Sequence, residues 1–337
     1  MRALYAKLAA LIDARAVLVT VAAVKGSAPR ERGAVMIVTA DGIHGTIGGG
    51  RLEYRAARLA RVMLRGGDAA HLKEFPLGPE LGQCCGGQVS LHFQRASERD
   101  RAWLAPLCGW LAEGRPAVLV FDPRDPDGPR IAVTAAATAG DLGARTAMAV
   151  RAGRKALAAG AASEEGFVIL PVTPPDCVVY LFGAGHVGRA LAAMLGQLPC
   201  RVAWVDERKA AFPAETPANV TPVRASDPAA EAAKAPTGAH FLVMTHSHAR
   251  DQQIVEAVLR RGDFAYLGLI GSATKRARFV ARLRAAGIGE AALQRLVCPI
   301  GAEGIPGKEP GVIALAVATE IMRRHRAAGA VKLAGTA

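Results

Sequence analysis

From Val178 onward the chain alternates apolar strand and amphipathic helix, and the first strand of the series runs into Gly183-Ala184-Gly185-His186-Val187-Gly188. Glycines at that spacing, directly after a strand and at the start of a helix, constrain the fold more than any other feature. The first permits a tight turn, the second lets backbone approach a pyrophosphate, and the third lets helix pack on strand. Further strands are expected at Val202 to Val205, His240 to Met244 and Tyr266 to Ile270. Such alternation demands right-handed crossovers and a parallel sheet covered on both faces, so a Rossmann-like doubly wound domain is expected over 176–330. Asp206 ends the second strand about 20 residues beyond the glycines, where an acid can bind a ribose hydroxyl. Gly183, Gly185, His186, Gly188 and Asp206 are therefore candidate contacts for a nucleotide or a similar phosphorylated ligand.

Two later loops lie past the ends of parallel strands, where ligands of α/β sheets bind. In Thr245-His246-Ser247-His248-Ala249-Arg250-Asp251, His246, His248 and Asp251 could hold a metal or serve as acid or base, while Thr245 and Asp251 could equally cap the next helix. Gly271-Ser272-Ala273-Thr274-Lys275-Arg276 offers another anion cradle, with Ser272 at its start. No nucleophile elbow is present, which disfavours acyl hydrolysis.

The N-terminal stretch reads differently. Leu4, Leu8, Leu11 and Ile12 recur at helical spacing, and Ala16 to Val24 reads as a buried strand ending in the loop Lys25-Gly26-Ser27-Ala28-Pro29-Arg30. Ala34 to Thr39 and Ile43 to Ile47 flank Asp41-Gly42, a dipeptide suited to the positive φ of a tight hairpin turn. Gly48-Gly49-Gly50 then opens a helix with Arg51, Arg55, Arg58, Arg61 and Arg65 opposite Leu52, Ala56, Leu59 and Met63. Glycine backbone, a helix N-terminus and the adjacent Arg51 suit an anion, whereas Arg58 onward reads as a solvated face. The loop of Ser27, Pro29 and Arg30 could meet those glycines. A strand at Val89 to Phe93 closes a small α/β domain over 1–97.

Gln83-Cys84-Cys85-Gly86-Gly87-Gln88 sets vicinal thiols on a flexible loop, a context for soft-metal or sulfur chemistry, though two buried cysteines would also fit. Zinc-finger spacing is absent, since Cys108, Cys177, Cys200 and Cys298 are isolated in sequence. Residues 98–175 read as a variable connecting segment, with a helix near Arg101 to Ala112 and strands near Ala117 to Phe121 and Phe167 to Val172. Pro174-Pro175 marks a boundary, and no internal repeat is legible.

A length of 337 residues suits about two domains, and 51% hydrophobic with 21% charged residues excludes a disordered chain. The net charge of +13 favours an anionic partner, but 5% aromatic content leaves little for base stacking, so nucleic acid is not expected. No apolar run reaches the roughly 18–20 residues needed to span a bilayer. Asp13 and Arg15 interrupt the first apolar run and argue against a signal peptide, so a cytoplasmic location with reduced thiols is expected. Symmetric assembly makes a homodimer the expected state.

Taken in order, Gly26-Ser27-Ala28-Pro29-Arg30, Gly45-Thr46-Ile47-Gly48-Gly49-Gly50 with Glu53, Gln83-Cys84-Cys85-Gly86-Gly87, Phe182-Gly183-Ala184-Gly185-His186-Val187, Thr245-His246, Gly268-Leu269-Ile270-Gly271-Ser272 and Pro299-Ile300-Gly301 resemble the xanthine dehydrogenase accessory proteins of the XdhC/CoxI family. The resemblance implies a chaperone that is not itself an enzyme. It would bind and protect the molybdenum cofactor (molybdopterin), support its sulfuration with a cysteine desulfurase-type sulfur donor, and insert it into apo xanthine dehydrogenase or a related hydroxylase. Arg30, Gly48, Gly49, Gly50, Arg51, Cys84 and Cys85 would then contact cofactor, the two cysteines at the molybdenum. A further nucleotide could occupy the Rossmann-like loop. The match departs at Gly301-Ala302-Glu303-Gly304-Ile305-Pro306-Gly307-Lys308-Glu309-Pro310, and 98–175 inherits nothing from it. The rival readings are an NAD(P)-dependent oxidoreductase, suggested by the glycines and Asp206, and an RNA-binding protein, suggested by charge.

Overall fold

The structure, a computed structural model, describes the whole chain except residues 1, 13–14, 67–69, 79–85, 126–127, 160–162, 165, 173–176 and 335–337. The chain divides into two compact units, Met1–Pro174 and Pro175–Ala337.

In the first unit the elements run α1 (Arg2–Ala10), β1 (Val17–Lys25), β2 (Val35–Val38), β3 (Ile43–Gly45), α2 (Gly50–Leu64), β4 (Ala70–Pro76) and β5 (Gln88–Arg95). They continue as α3 (Arg101–Ala112), β6 (Ala117–Phe121), β7 (Ile131–Val133), β8 (Thr138–Ala139), α4 (Thr146–Ala159), β9 (Ser163–Glu164) and β10 (Phe167–Val172). Two antiparallel sheets result, ordered β3-β2-β1-β5-β4 and β8-β7-β6-β10-β9. The second series repeats the first, element for element and strand for strand. Residues 98–175, expected as a connecting segment without a repeat, thus form the second copy. Its strands β7 and β8 are too short to show alternation, and α4 buries a stripe of small residues, Ala149, Ala152 and Ala156, which composition alone disguises as a loop.

Both faces of each sheet are covered. Val17, Val19 and Val21 of β1 pack with Leu52, Ala56, Ala60 and Met63 of α2. The intervening Leu18 and Ala22 face a core shared with the other sheet, where Tyr5 and Leu8 of α1 and Trp103, Leu104 and Leu107 of α3 meet Leu119 and Leu170. A strand buried on both faces loses its polar alternation, so β1 reads as one apolar run. The hairpin of β2 and β3 forms as expected, by other means. Neither Asp41 nor Gly42 has positive φ, and Thr39 closes the turn, its Oγ1 accepting the Gly42 N–H at 3.1 Å.

The second unit runs β11 (Cys177–Phe182), α5 (His186–Leu195), β12 (Cys200–Asp206), β13 (Val220–Arg224), α6 (Pro228–Ala233), β14 (His240–Val243), α7 (His248–Arg261), β15 (Tyr266–Leu269), α8 (Ala273–Ala285), α9 (Glu290–Leu293), β16 (Leu296–Val297) and α10 (Pro310–Ala334). Its six strands are all parallel, in the order β13-β12-β11-β14-β15-β16. This is the expected doubly wound Rossmann-like sheet. Chain order reverses between β11 and β14, and that switch point is where such sheets open a crevice beyond their carboxyl ends. Leu191, Ala192 and Leu195 of α5 and Ala314, Val317, Ala318 and Ile321 of α10 cover one face. Ile254, Val255 and Val258 of α7 with Phe279 and Leu283 of α8 cover the other. Among the described residues no helix is long and apolar enough to cross a membrane.

Candidate cofactor-binding sites

In the second unit each glycine of the fingerprint has a distinct steric reason. At Gly183 φ is 110°, and a Cβ there would lie 2.3 Å from the Met244 carbonyl oxygen. A Cβ on Gly188 would sit 2.0 Å from the Gly183 carbonyl oxygen, so only glycine lets α5 approach β11. Gly185 differs. Its φ is −75° and a Cβ there would meet nothing within 4 Å. The fold does not require glycine at that position, whereas a ligand drawn against the backbone would. Gly185 and His186 are exposed at the N-terminus of α5. With Arg189 and Arg208 they line a cleft of ≈ 360 Å³. Helix N–H groups and two guanidiniums at one opening suit an anionic group.

Asp206 is nearly buried and fully engaged. One carboxylate oxygen accepts the Ala184 N–H at 2.7 Å and Arg208 Nη2 at 2.9 Å, and the other accepts Arg208 N–H and Nε, both at 2.9 Å. The residue expected to receive a ribose hydroxyl therefore holds the glycine turn in place. Burial pushes its pKa up, but hydrogen bonds from Arg208 and Ala184 outweigh burial and leave it below the ordinary 3.8. A depressed folded-state pKa contributes stability that is present above the unfolded value and lost as pH falls through the folded one. The acid limb of unfolding, followed by fluorescence of buried Trp204, is expected to be shallower in Asp206→Asn than in the parent. Identical acid limbs would contradict the clamp.

At the switch point a narrow crevice is lined by Gly183, Asp206, Glu207, Thr245, His246 and Arg250. Glu207 lies 3.2 Å from Arg250 and 3.6 Å from half-exposed His246. His246, His248 and Asp251, for which the sequence left metal binding and acid–base work open, do not gather into a metal-ligating group. His248 opens α7 with its ring edge-on to Phe279. Asp251 is wholly buried, with Oδ1 accepting the Thr245 N–H and Oγ1 and Oδ2 accepting Lys275 Nζ at 2.7 Å. Nor does Asp251 cap α7, because Ser247 does, accepting the Arg250 N–H. Ser272 likewise caps α8, its Oγ accepting the Lys275 N–H at 3.2 Å. Lys275, read from sequence as part of an anion cradle, instead joins two strand-end loops by donating to Asp251 and to the Ile270 carbonyl.

In the first unit three motifs distant in sequence converge. Pro29 packs on Gly48, where a Cβ would come within 2.5 Å of the proline ring. Arg30 Nη1 donates to the Thr46 carbonyl at 3.4 Å. Ser27 bridges Gly86, and a Cβ on Gly87 would fall 2.1 Å from the Ser27 carbonyl oxygen. Cys84 and Cys85 lie outside the described residues, but the chain that follows them is held against the Gly26–Arg30 loop. The glycine loop itself departs from expectation. Glu53, one turn into α2, accepts N–H groups of Ile47 and Gly49 at 3.1 Å each and the Thr46 hydroxyl at 2.5 Å. Thr46 Oγ1 in turn accepts the Gly48 N–H at 3.1 Å. A resident carboxylate thus occupies most of the cradle assigned to a ligand. What faces outward is the helix start at Gly50 and exposed Arg51. The equivalent loop of the second copy is closed by an Arg145–Asp122 ion pair, with Arg145 stacked 4.2 Å from the Phe167 ring centroid.

These features define a two-unit α/β protein whose Rossmann-like half carries a glycine turn after its first strand and whose other half gathers three glycine-containing segments. Residues 179–321 match the XdhC Rossmann domain and residues 13–76 match the XdhC and CoxI family. The chain belongs to the XdhC/CoxI family. A 144-residue stretch, 42% of the chain, is 29% identical to the uncharacterized protein YqeB of Escherichia coli K12, and covers 26% of that relative's length. In fold the chain is similar to a Bacillus halodurans protein described as a xanthine dehydrogenase, with a TM-score of 0.74 and 19% identity over 97% of this chain and 96% of the other.

Proposed function

We propose that the chain is a maturation factor for xanthine dehydrogenase or a related molybdenum hydroxylase, one that binds the molybdenum cofactor as cargo, shields it, supports its sulfuration and hands it to the apoenzyme. Family membership supports the maturation role. The observation that carries the cargo reading is the meeting of the Gly26–Arg30 loop with both the Gly45–Gly50 segment and Gly86–Gly87, the residues that follow Cys84 and Cys85 in sequence. Molybdopterin presents a phosphate, a dithiolene and an oxo-metal centre. A carrier for it needs cations or helix N–H groups for the phosphate and soft donors near the metal. Arg30, Arg51 and the helix start supply the first requirement, and Cys84 and Cys85 would supply the second. A cysteine desulfurase-type sulfur donor would deliver sulfur to the held cofactor. An NAD(P)-dependent oxidoreductase fits less well, because the Asp206 carboxylate already accepts from Ala184 and Arg208.

The test titrates the purified chain with cofactor released from a molybdoenzyme and follows transfer into apo xanthine dehydrogenase. Saturable binding and chain-dependent activation are expected. In the Cys84→Ser/Cys85→Ser variant cofactor retention falls while the melting temperature stays near the parent's. Activation that proceeds equally well without the chain would end the proposal.

Gly185→Val gives a separate prediction for the Rossmann-like loop. Loss of backbone approach to a phosphate removes about 1.5–3 kcal/mol, which is roughly tenfold to a hundredfold in Kd. Equilibrium dialysis with the cofactor, and in parallel with a dinucleotide, identifies which ligand loses affinity. Unchanged affinity for both would show the loop to be structural only.

A further inference from the structure

At the edge of the parallel sheet opposite the glycine turn, three side chains of metal-ligating type come together. Cys177 opens β11, His240 opens β14 and His325 lies on α10, and their ligand atoms all fall within 4.8 Å of one another. The register explains the first two. β11 and β14 are parallel neighbours with Val179 opposite His240, so Cys177, Val179 and His240 project from the same face. That face is covered by α10, whose Ala314, Val317, Ala318 and Ile321 are buried against it. His325 follows Ile321 by one helical turn and continues the same stripe to the strand ends. Cys177 and His240 are buried and His325 is partly so. The rings of His240 and His325 meet edge to face with centroids 5.7 Å apart.

We infer that Cys177, His240 and His325 form a binding site for a borderline-soft divalent cation of the zinc class. One thiolate and two neutral imidazoles are a donor set this class prefers over oxygen-loving calcium or magnesium. In a tetrahedral zinc site with ordinary bond lengths the ligand atoms stand about 3.3–3.6 Å apart, so closing this cluster on an ion requires them to approach by roughly 1 Å. On binding, the Cys177 thiol loses its proton to solvent and sulfur gives an electron pair to the metal, while each imidazole gives a ring-nitrogen lone pair. Solvent takes the remaining position. The ion would tie the C-terminal helix to the starts of two central strands, at the edge away from the glycine turn. It therefore acts on stability, not on the ligand site, and stands independently of the proposed function.

Cobalt(II) is the direct probe, because a thiolate ligand gives it a near-ultraviolet charge-transfer band. The full chain is used with Cys84 and Cys85 replaced by serine, so that thiols of that loop cannot contribute, and is stripped with a chelator. One equivalent of cobalt is expected to bind with the charge-transfer band, and zinc is expected to displace it and raise the melting temperature. Cys177→Ser abolishes the band. His325→Ala, at a partly exposed helix position, keeps the fold but weakens cobalt binding by at least about tenfold, the loss that even an outer-shell partner can cause. No band in the parent, a band that survives Cys177→Ser, or unchanged affinity in His325→Ala would overturn the site. Should Cys177→Ser fail to fold, the His325→Ala titration decides.

Discussion

Replacing Gly188 by valine is expected to destabilise the second unit by about 3 kcal/mol or more, at the upper end of overpacking costs. The atom that the new Cβ meets at 2.0 Å is the Gly183 carbonyl oxygen, with its carbon at 3.0 Å. Backbone cannot rotate away as a side-chain tip can, so α5 must lift from β11. Lifting would also disturb the bond from Trp204 Nε1 to the Gly183 carbonyl, 3.0 Å long, and the Asp206 hold on Ala184. Gly185→Val is the built-in control: three residues N-terminal along the segment, its Cβ enters open space, and its cost is that of a poorer N-cap, within about 1 kcal/mol. Urea unfolding followed by Trp204 fluorescence compares the two. Equal midpoints would remove the steric account of the turn.

Asp251→Ala is expected to cost about 3–5 kcal/mol, because breaking a buried ion pair leaves one charge uncompensated. Asp251 is fully buried, and the Lys275 side chain is 14% exposed. Without the carboxylate, Lys275 Nζ keeps its bond to the Ile270 carbonyl at 2.9 Å, and Thr245 loses the acceptor for its N–H and one of two for its hydroxyl, which keeps the Ser247 carbonyl at 3.0 Å. The Thr245–Ser247 turn at the switch point should loosen with it. Replacing both partners by apolar groups, Asp251→Leu with Lys275→Met, is expected to recover most of the loss. A double-mutant cycle by denaturant unfolding measures that coupling. Strict additivity of the two changes would show that the pair does not act as a unit.

The second unit was the more legible half, for a physical reason. Central parallel strands are apolar on both faces, so β11, β12, β14 and β15 stand out as short hydrophobic runs between helices. β13 and β16 escaped notice: the first is exposed at most of its positions and contains Pro222, and the second has two residues. In the first unit the helices α1 and α3 and the strands β1, β6 and β10 were legible from local pattern. The duplication was not, since a repeated fold needs only equivalent strand pairing and burial and tolerates divergence of nearly every side chain.

At the candidate sites, local sequence sufficed where backbone geometry was the requirement. A left-handed turn at Gly183 and a helix start after Gly49 announce themselves through residues that alone tolerate those conformations. Partnerships were another matter. That Glu53 occupies the glycine cradle, that Asp206 holds Ala184 and Arg208, and that Asp251 binds Lys275 instead of a metal depend on which groups lie within about 3 Å, the reach of a hydrogen bond. Sequence by itself determined the doubly wound sheet, its glycine turn and the family. Tertiary structure alone decided which donors are already spent, which glycine is left open, and that Cys177, His240 and His325 meet. Strand pairing and helix docking bring such residues together across long separations, and short-range forces act only after the fold has done so.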